Sequence, residues 1–415
     1  MKNKIYKTFN PFLQFFKNES ASGLILLGFA IIAMIIANSS FAAIYENILH
    51  TYITIGYREF SLSMSVLHWI NDGLMAIFFL VVGMEIKREV VFGELKSLKK
   101  TILPVSAAIG GMIIPAIFYA LFNYKEPTIS GWGIPMATDI AFALGILSLV
   151  GKRAPKGIIV FLTALAIVDD LGAIIVIAIF YTSQISLSAL MMGLIVFSVL
   201  ILADKFKVKS IPVYTILGII LWFCILKSGI HATIAGVLLG MVLPIGKTVH
   251  QYETSISHRF EHALTPISAF IIMPIFALAN AGITIDISSL STIILEPVSL
   301  GIIFGLFFGK PIGIFGVSYI LVKLKIASLP VQVTKRHLYG ASILGGIGFT
   351  MSIFVSSLSF ADETVLATAK ISIMIASIIA AVLGAIVFKI IDVIELQNKK
   401  QIDGDEDTEL EPEYN

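Results

Sequence analysis

The sequence predicts an all-α polytopic membrane protein of about twelve transmembrane helices, with inverted-topology repeats and two broken helices crossing near the midplane. Three observations predict it. First, the 415 residues are 57% hydrophobic and only 13% charged, with a mean hydropathy of +0.94. A soluble domain is roughly 45–50% apolar and about 25% charged. Second, apolar runs long enough to cross a bilayer, about 20 residues each, recur along the chain. Third, the basic residues alternate between loops with few exceptions, and four ionisable residues remain deep inside spans.

The spans centre on Leu24–Ile36, Ile70–Val82, Ile102–Phe122, Gly133–Val150, Ile158–Tyr181, Leu187–Ala203, Pro212–Leu226, Ile230–Pro244, Leu264–Ala281, Val298–Val322, Leu338–Leu358 and Val365–Ile391. The apolar run from Leu24 follows a long polar and aromatic segment and reads as a first membrane helix, not a cleaved signal. Taking alternate loops and both tails as one side places there all but Arg58, Lys125, Lys227, Lys370 and Lys310 of the 29 Lys and Arg residues. By the positive-inside rule both termini are cytoplasmic. A miscount by one helix would destroy this asymmetry.

Residues 1–20 are read as a cytoplasmic segment, 21–395 as the membrane domain and 396–415 as an acidic, disordered cytoplasmic tail carrying DGDEDTELEPE. The single cysteine, Cys224, excludes an internal disulfide framework and offers no metal spacing. Between Asn38 and Ser65 lies a long external segment, in which ILHTYITIGYREFSLSMS alternates like a strand. Asp72, beside Asn71 at the start of a span, reads as a helix cap.

The deep charges are Asp139, Asp169, Asp170 and Lys310, with His231 a weaker member. Each of the four falls near the middle of its span, so one shared site is expected. Intramembrane charges face a bundle interior or a water-filled cavity and serve transport or proton relay. The competing reading is a structural ion pair, which suits Lys310 facing an aspartate. It suits ALAIVDDLGAI less well. Neighbouring helical side chains point about 100° apart, so one lysine cannot easily neutralise both aspartates, whereas a proton or small cation could serve the other.

Helix interruptions sharpen this. GWGIPMATDIAFALG carries Gly131, Gly133 and Pro135 just before Thr138 and Asp139, and YGASILGGIGFTMSIF carries four glycines inside another span. Freed backbone groups at membrane depth are tolerated where they line a cavity or meet protein partners. The two segments hold corresponding places in two three-helix groups, about 101–181 and 298–391, whose first helices are the third and tenth spans. An odd separation makes the groups run in opposite directions, the pattern of an inverted repeat with a midplane site. The remaining helices are read as interface helices. Half-helix ends carry partial charges, and Asp139 could neutralise two facing N-termini. Close helix packing is the plainer reading of the glycines.

At NDGLMAIFFLVVGMEIKRE, PMATDIAFALGIL, ALAIVDDLGAI, SGIHATIAGVLLG, FGKPIGI and GGIGFTMSIF the chain resembles the NhaA-type sodium/proton antiporters, from roughly Phe12 to Ile391. The resemblance implies that Asp169 and Asp170 bind Na+ or Li+ and exchange protons. It implies that Thr138 and Asp139 belong to the crossing, and that Lys310 pairs with Asp169 or helps neutralise the crossing. It implies a cytoplasmic pH-response group of Glu85, Arg88, Glu89, Glu261 and His262, with His231 as a further pH-linked residue; interfacial anchoring is the alternative. The family's later histidine of this group is replaced by Thr265, which puts the strength or midpoint of pH regulation in question. A homodimer joined through a hairpin at 38–65, residence in a bacterial inner membrane and absence of any cofactor follow from the same resemblance.

The expected chemistry is competition: protons and a hard cation contend for one carboxylate pair, electrogenically if more than one proton is exchanged per cation, with alkaline pH favouring the cation. An intramembrane aspartyl protease needs aspartates on two helices in a Tyr-Asp and a Gly-x-Gly-Asp setting, which this chain lacks, so no enzyme is expected. A passive channel would need a continuous pore, and a sodium-coupled solute symporter an organic pocket. No phosphate-binding loop occurs, and no nucleic-acid partner is expected.

Overall fold

The computed structural model describes residues 19–408, apart from 57–60, 152, 183–184, 285–287 and 289. Helices dominate, because in a bilayer a helix satisfies every backbone group within its own segment. Helix α1 (Glu19–Ala37) is followed by α2 (Ala42–His50) and a hairpin of β1 (Tyr52–Ile55) and β2 (Leu62–Ser65). Helix α3 runs Val66–Val91, α4 Leu98–Phe122, α7 Lys156–Phe180, α8 Leu187–Lys205, α9 Ile211–Lys227, α10 Thr233–Val242, α11 Ile256–Asn280 and α12 Pro297–Lys323. Two spans are broken. The first joins a 3₁₀ half, α5 (Pro127–Met136), to α6 (Ile140–Val150) with a bend of 44°; the second joins α13 (Lys335–Leu344) to α14 (Phe349–Ser359) with a bend of 43°. Helix α15 (Glu363–Thr408) closes the fold. Seven helices qualify as spans by length and hydropathy. Adding α1, α9, α10 and the two broken pairs completes the twelve.

Several boundaries differ from the hydropathy reading. Helix α3 continues past Val82 to Val91 and α11 starts at Ile256, so Glu85, Arg88, Glu89, Glu261 and His262 lie on helices rather than in loops. Hydropathy registers only the apolar part of a helix, whereas its backbone ladder continues into water. Helix α15 likewise continues past Leu396, where a disordered tail is expected; residues 409–415, like 1–18, lie outside the described residues. Within the segment 38–65, a helix that the strand-like alternation does not indicate, α2, turns 112° away from α1 and precedes the expected hairpin, in which Tyr52 pairs with Ser65 and Ile55 with Leu62. Asp72 is no cap. It sits in a π-turn, Trp69–Leu74, inside α3, while Ser65 caps the helix by accepting from His68 N–H at 3.2 Å.

One apolar core spans both three-helix groups and includes Leu26 of α1, Phe79 of α3 and Phe276 of α11. A second cluster packs Leu200, Tyr214, Leu221 and Leu239 of α8–α10 against Leu80 and Met84 on another face of α3. Helix α3 thus links the two. Its contact with α10 is a backbone-to-backbone approach: a Cβ at Gly236 would stand 2.0 Å from the Ala76 carbonyl oxygen, and one at Gly240 2.7 Å from that of Leu80. Small residues are what permit helices to close so far in a membrane. Gly236→Val is therefore expected to lower the unfolding temperature in detergent, at a cost of about 1–3 kcal/mol for overpacking; an unchanged midpoint would mean that α3 and α10 have room to separate.

Candidate ion-binding site

The two broken spans meet back to back. Between α5 and α6 the chain is extended at residues 137–139, and between α13 and α14 it opens at 345–348. The backbone groups freed by each break find partners in the other. Asp139 N–H donates to the Ile347 carbonyl at 2.7 Å, the Thr138 hydroxyl to the Gly345 carbonyl at 2.9 Å, and the Ser352 hydroxyl to the Ile134 carbonyl at 2.8 Å. This reciprocal bonding lets irregular backbone exist at this depth.

The crossing brings together like helix ends. The N-termini of α6 and α14 face each other, and Asp139 caps both. Its Oδ1 accepts from Phe142 N–H at 3.0 Å, and its Oδ2 accepts from Thr350 N–H at 3.1 Å and from the Thr350 hydroxyl. One carboxylate thereby compensates two positive ends. The opposite ends, of α5 and α13, lie on the side of Lys310. Its Nζ donates to the Thr138 hydroxyl at 2.8 Å, and that hydroxyl in turn donates to the Gly345 carbonyl. Lys310 also donates to Asp169 Oδ2 at 2.6 Å. The two roles that the sequence offers for Lys310 are therefore held by one ammonium group.

Lys310 reaches the site because α12 is distorted around it. Two π-turns, Gly305–Gly309 and Ile312–Gly316, flank the residue. Such turns shift the register of a helix by one residue and recur at functional sites. One turn further on, Gly313 meets Gly110 of α4 so closely that a Cβ on Gly313 would lie 2.2 Å from the Gly110 carbonyl oxygen. Nothing in the sequence announced the π-turns, although the FGKPIG stretch supplies the small residues that permit them.

Asp169 and Asp170 lie halfway along α7. Asp169, Asp139 and Lys310 are no more than 1% exposed and Asp170 is 6% exposed. Asp169 has one oxygen on Lys310; its Oδ1, like Asp170 Oδ1, is buried and makes no hydrogen bond. A buried carboxylate oxygen without a donor is costly.

Of the remaining predicted residues, Glu85, Arg88, Glu89 and Glu261 gather, and His262 and His231 do not. Arg88 is paired with Glu261 and lies 3.6 Å from Glu89. Glu85, one turn earlier, is within electrostatic range of both Arg88 and Asp170. His262 is exposed, and its ring lies 6.1 Å from that of His258. Tyr252, missed in the sequence, donates its hydroxyl to Glu261 Oε2 at 2.6 Å. Burial and the Glu261 carboxylate push that phenol up to about 12, so it remains a donor throughout the neutral and alkaline range. His231 stands apart. It occupies the turn before α10, outside the helix, and its Nε2 lies 2.7 Å from the Tyr181 carbonyl at the end of α7. Tyr181 in turn donates its hydroxyl to the Ser130 carbonyl and accepts from Gly133 N–H. Thr350 was also missed, although a threonine just after a glycine-rich break marks the first turn of the resumed helix.

Opposed broken helices, bridged at their N-termini by one buried acid and approached through Thr138 by one buried lysine, beside a buried carboxylate pair, define an ion-transporting membrane protein of the inverted-repeat type. The family described as Na+/H+ antiporter 1 matches residues 13–388. The chain is 76% identical to Na+/H+ antiporter NhaA 1 of Clostridium beijerinckii, covering 94% of this chain and 98% of the relative. It is 50% identical to Na+/H+ antiporter NhaA of Pelagibacter ubique, over 90% of this chain and 96% of the relative. The chain belongs to the NhaA family of Na+/H+ antiporters.

Lys310→Ala is expected to cost about 3–5 kcal/mol, the typical result of removing one member of a buried ion pair. Adding Asp169→Asn should recover most of the loss. Thermal unfolding of the purified variants checks both; a double variant no more stable than the single would mean that Lys310 acts on the helix ends alone.

Proposed function

We propose that this chain is a secondary active transporter that exchanges intracellular Na+ or Li+ for external H+, with Asp169 and Asp170 as the site where cation and protons compete. The observation that carries this is the pair of buried carboxylate oxygens, one on each aspartate, that have no donor. A proton or a hard cation suited to oxygen ligands satisfies either oxygen, and the two cannot do so together. If only occupied states reorient, exchange follows without a cofactor and without enzymatic chemistry. Membership of the family supports the Na+/H+ pairing.

Lys310 gives the site a third titratable group. In the cation-free state it neutralises Asp169. When Na+ takes its place at that carboxylate, the ammonium is left in a dry environment and favours release of a proton. Two carboxylates and one lysine thus allow more than one proton per cation, and the cycle is electrogenic. The membrane potential then assists Na+ export by about 2.3 kcal/mol per charge per 100 mV.

Activation at alkaline pH is assigned to the group at the cytoplasmic ends of α3 and α11. Arg88, Glu89, Glu261 and Tyr252 form one network there, and Glu85 links it electrostatically to Asp170. The distribution of basic loops supports cytoplasmic termini. A homodimer is proposed through the hairpin, whose β1 leaves Tyr52, Ile53 and Ile55 exposed at 70%, 44% and 57% on a strand with a free edge.

Everted membrane vesicles with an imposed acid-inside gradient test the central claim. Na+ should release protons, read as dequenching of a pH-sensitive dye, and Asp169→Asn and Asp170→Asn should each reduce the signal at least tenfold. Release that survives either substitution would remove the pair from the site. In the same assay Tyr252→Phe is expected to keep the maximal rate while moving the acid limb of the pH profile to higher pH, because the Arg88–Glu261 contact loses a supporting donor. An unmoved profile would separate this network from pH control.

A further inference from the structure

A groove of about 410 Å³ opens on the outer surface of the helix bundle, bounded by α12, α13 and α15. Its floor is one face of α15: Val387, Ile390, Ile391 and Ile394 follow helical spacing and span roughly 10 Å along the axis at 1.5 Å per residue. Phe315 and Tyr339 form the facing wall, their rings in edge contact with centroids 5.5 Å apart. The groove's mouth carries Lys335 and Arg336, both exposed, on the first turn of α13.

The polarity of the groove has a direction. Helix α13 enters the bundle at Lys335, and α15 leaves it on the same side, so the two cations and Ile394 lie at the water-facing end while Phe315 and Val387 lie deeper. Tyr319, on the last turns of α12, stacks on Phe315 with centroids 5.8 Å apart and has Lys335 Nζ 5.0 Å above its ring. Tyrosines at this level are typical of a membrane–water boundary. Neither Lys335 nor Arg336 has a carboxylate partner among the described residues. The nearby Glu395 is turned inward to the buried His337, 3.1 Å from its Nε2. Two cations without a carboxylate partner among the described residues, above an apolar groove that runs along α15, match a molecule with an anionic head and a hydrocarbon chain. Basic pockets between membrane helices on the cytoplasmic side recognise anionic head groups in this way.

We propose that this groove is a binding site for one anionic phospholipid, its phosphate held by Lys335 and Arg336 and one acyl chain lying along Val387–Ile394. The site abuts α13, the first half of the second broken span, so an occupied groove would brace that half-helix against α15.

Delipidated protein in detergent tests this by thermal unfolding during titration with phosphatidylglycerol, phosphatidylcholine or soluble glycerol phosphate. Phosphatidylglycerol should raise the unfolding temperature saturably, and the other two should not. The variant Lys335→Glu/Arg336→Glu, and separately Ile394→Trp, which fills the groove and keeps both charges, should each need at least fivefold more phosphatidylglycerol for the same effect. Retained Na+-dependent proton release in vesicles identifies the variants as folded. Native mass spectrometry gives a second readout, in which each variant should retain one anionic phospholipid fewer than the wild type. Equal stabilisation by phosphatidylcholine, a response to glycerol phosphate, or wild-type phosphatidylglycerol binding in both variants would overturn the proposal.

Discussion

Everything in this fold answers to one constraint: in a medium without water, every charge and every free backbone group must find a partner inside the protein. The crossing of the two broken spans is where the constraint is sharpest. Breaking a helix exposes two ends of opposite sign, and placing two broken helices against each other doubles both. Asp139 compensates the paired N-termini, and Lys310, through Thr138, attends to the other pair. The crossing bonds of Asp139 N–H to Ile347, of Thr138 to Gly345 and of Ser352 to Ile134 absorb what remains. The assembly holds because each break supplies the partners that the other lacks.

That solution leaves a deliberate remainder. Lys310 satisfies one oxygen of Asp169, and among the described residues no donor reaches its other oxygen or Asp170 Oδ1. The surrounding architecture is rigid where it sets the positions of these groups. Gly110 and Gly313 lock α4 to α12 by backbone contact, π-turns aim Lys310, and His231 and Tyr181 tie down the far end of α7. The network of Arg88, Glu261 and Tyr252 sits at the helix ends beyond the apolar layer.

The residues of the site were legible one by one because the membrane makes charge expensive. An aspartate or lysine in an apolar run stands out without any alignment, and the glycines and prolines of GWGIPMATD and LGGIGFT mark the breaks. Elements that do not disturb hydropathy were not legible. The π-turns of α12 are built from ordinary apolar residues. The α2 helix is amphipathic and short, so it reads as loop. The extensions of α3 and α11 beyond the bilayer carry charges that hydropathy scores as loop, although the backbone ladder runs straight through them. Asp72 looked like a cap because it begins an apolar stretch, yet the helix had begun two turns earlier at Ser65.

What the sequence determined by itself is the class of fold, the alternation of basic residues between its loops and the small set of buried ionisable groups, since composition and spacing record what each residue costs in hydrocarbon. What only the tertiary structure decided is which groups share a partner. Lys310 lies 141 positions from Asp169 and 172 from Thr138, and Asp139 caps a helix that begins some two hundred residues later. Such contacts depend on where two broken helices cross, and that is set by packing between distant segments, which a linear pattern of hydropathy does not encode.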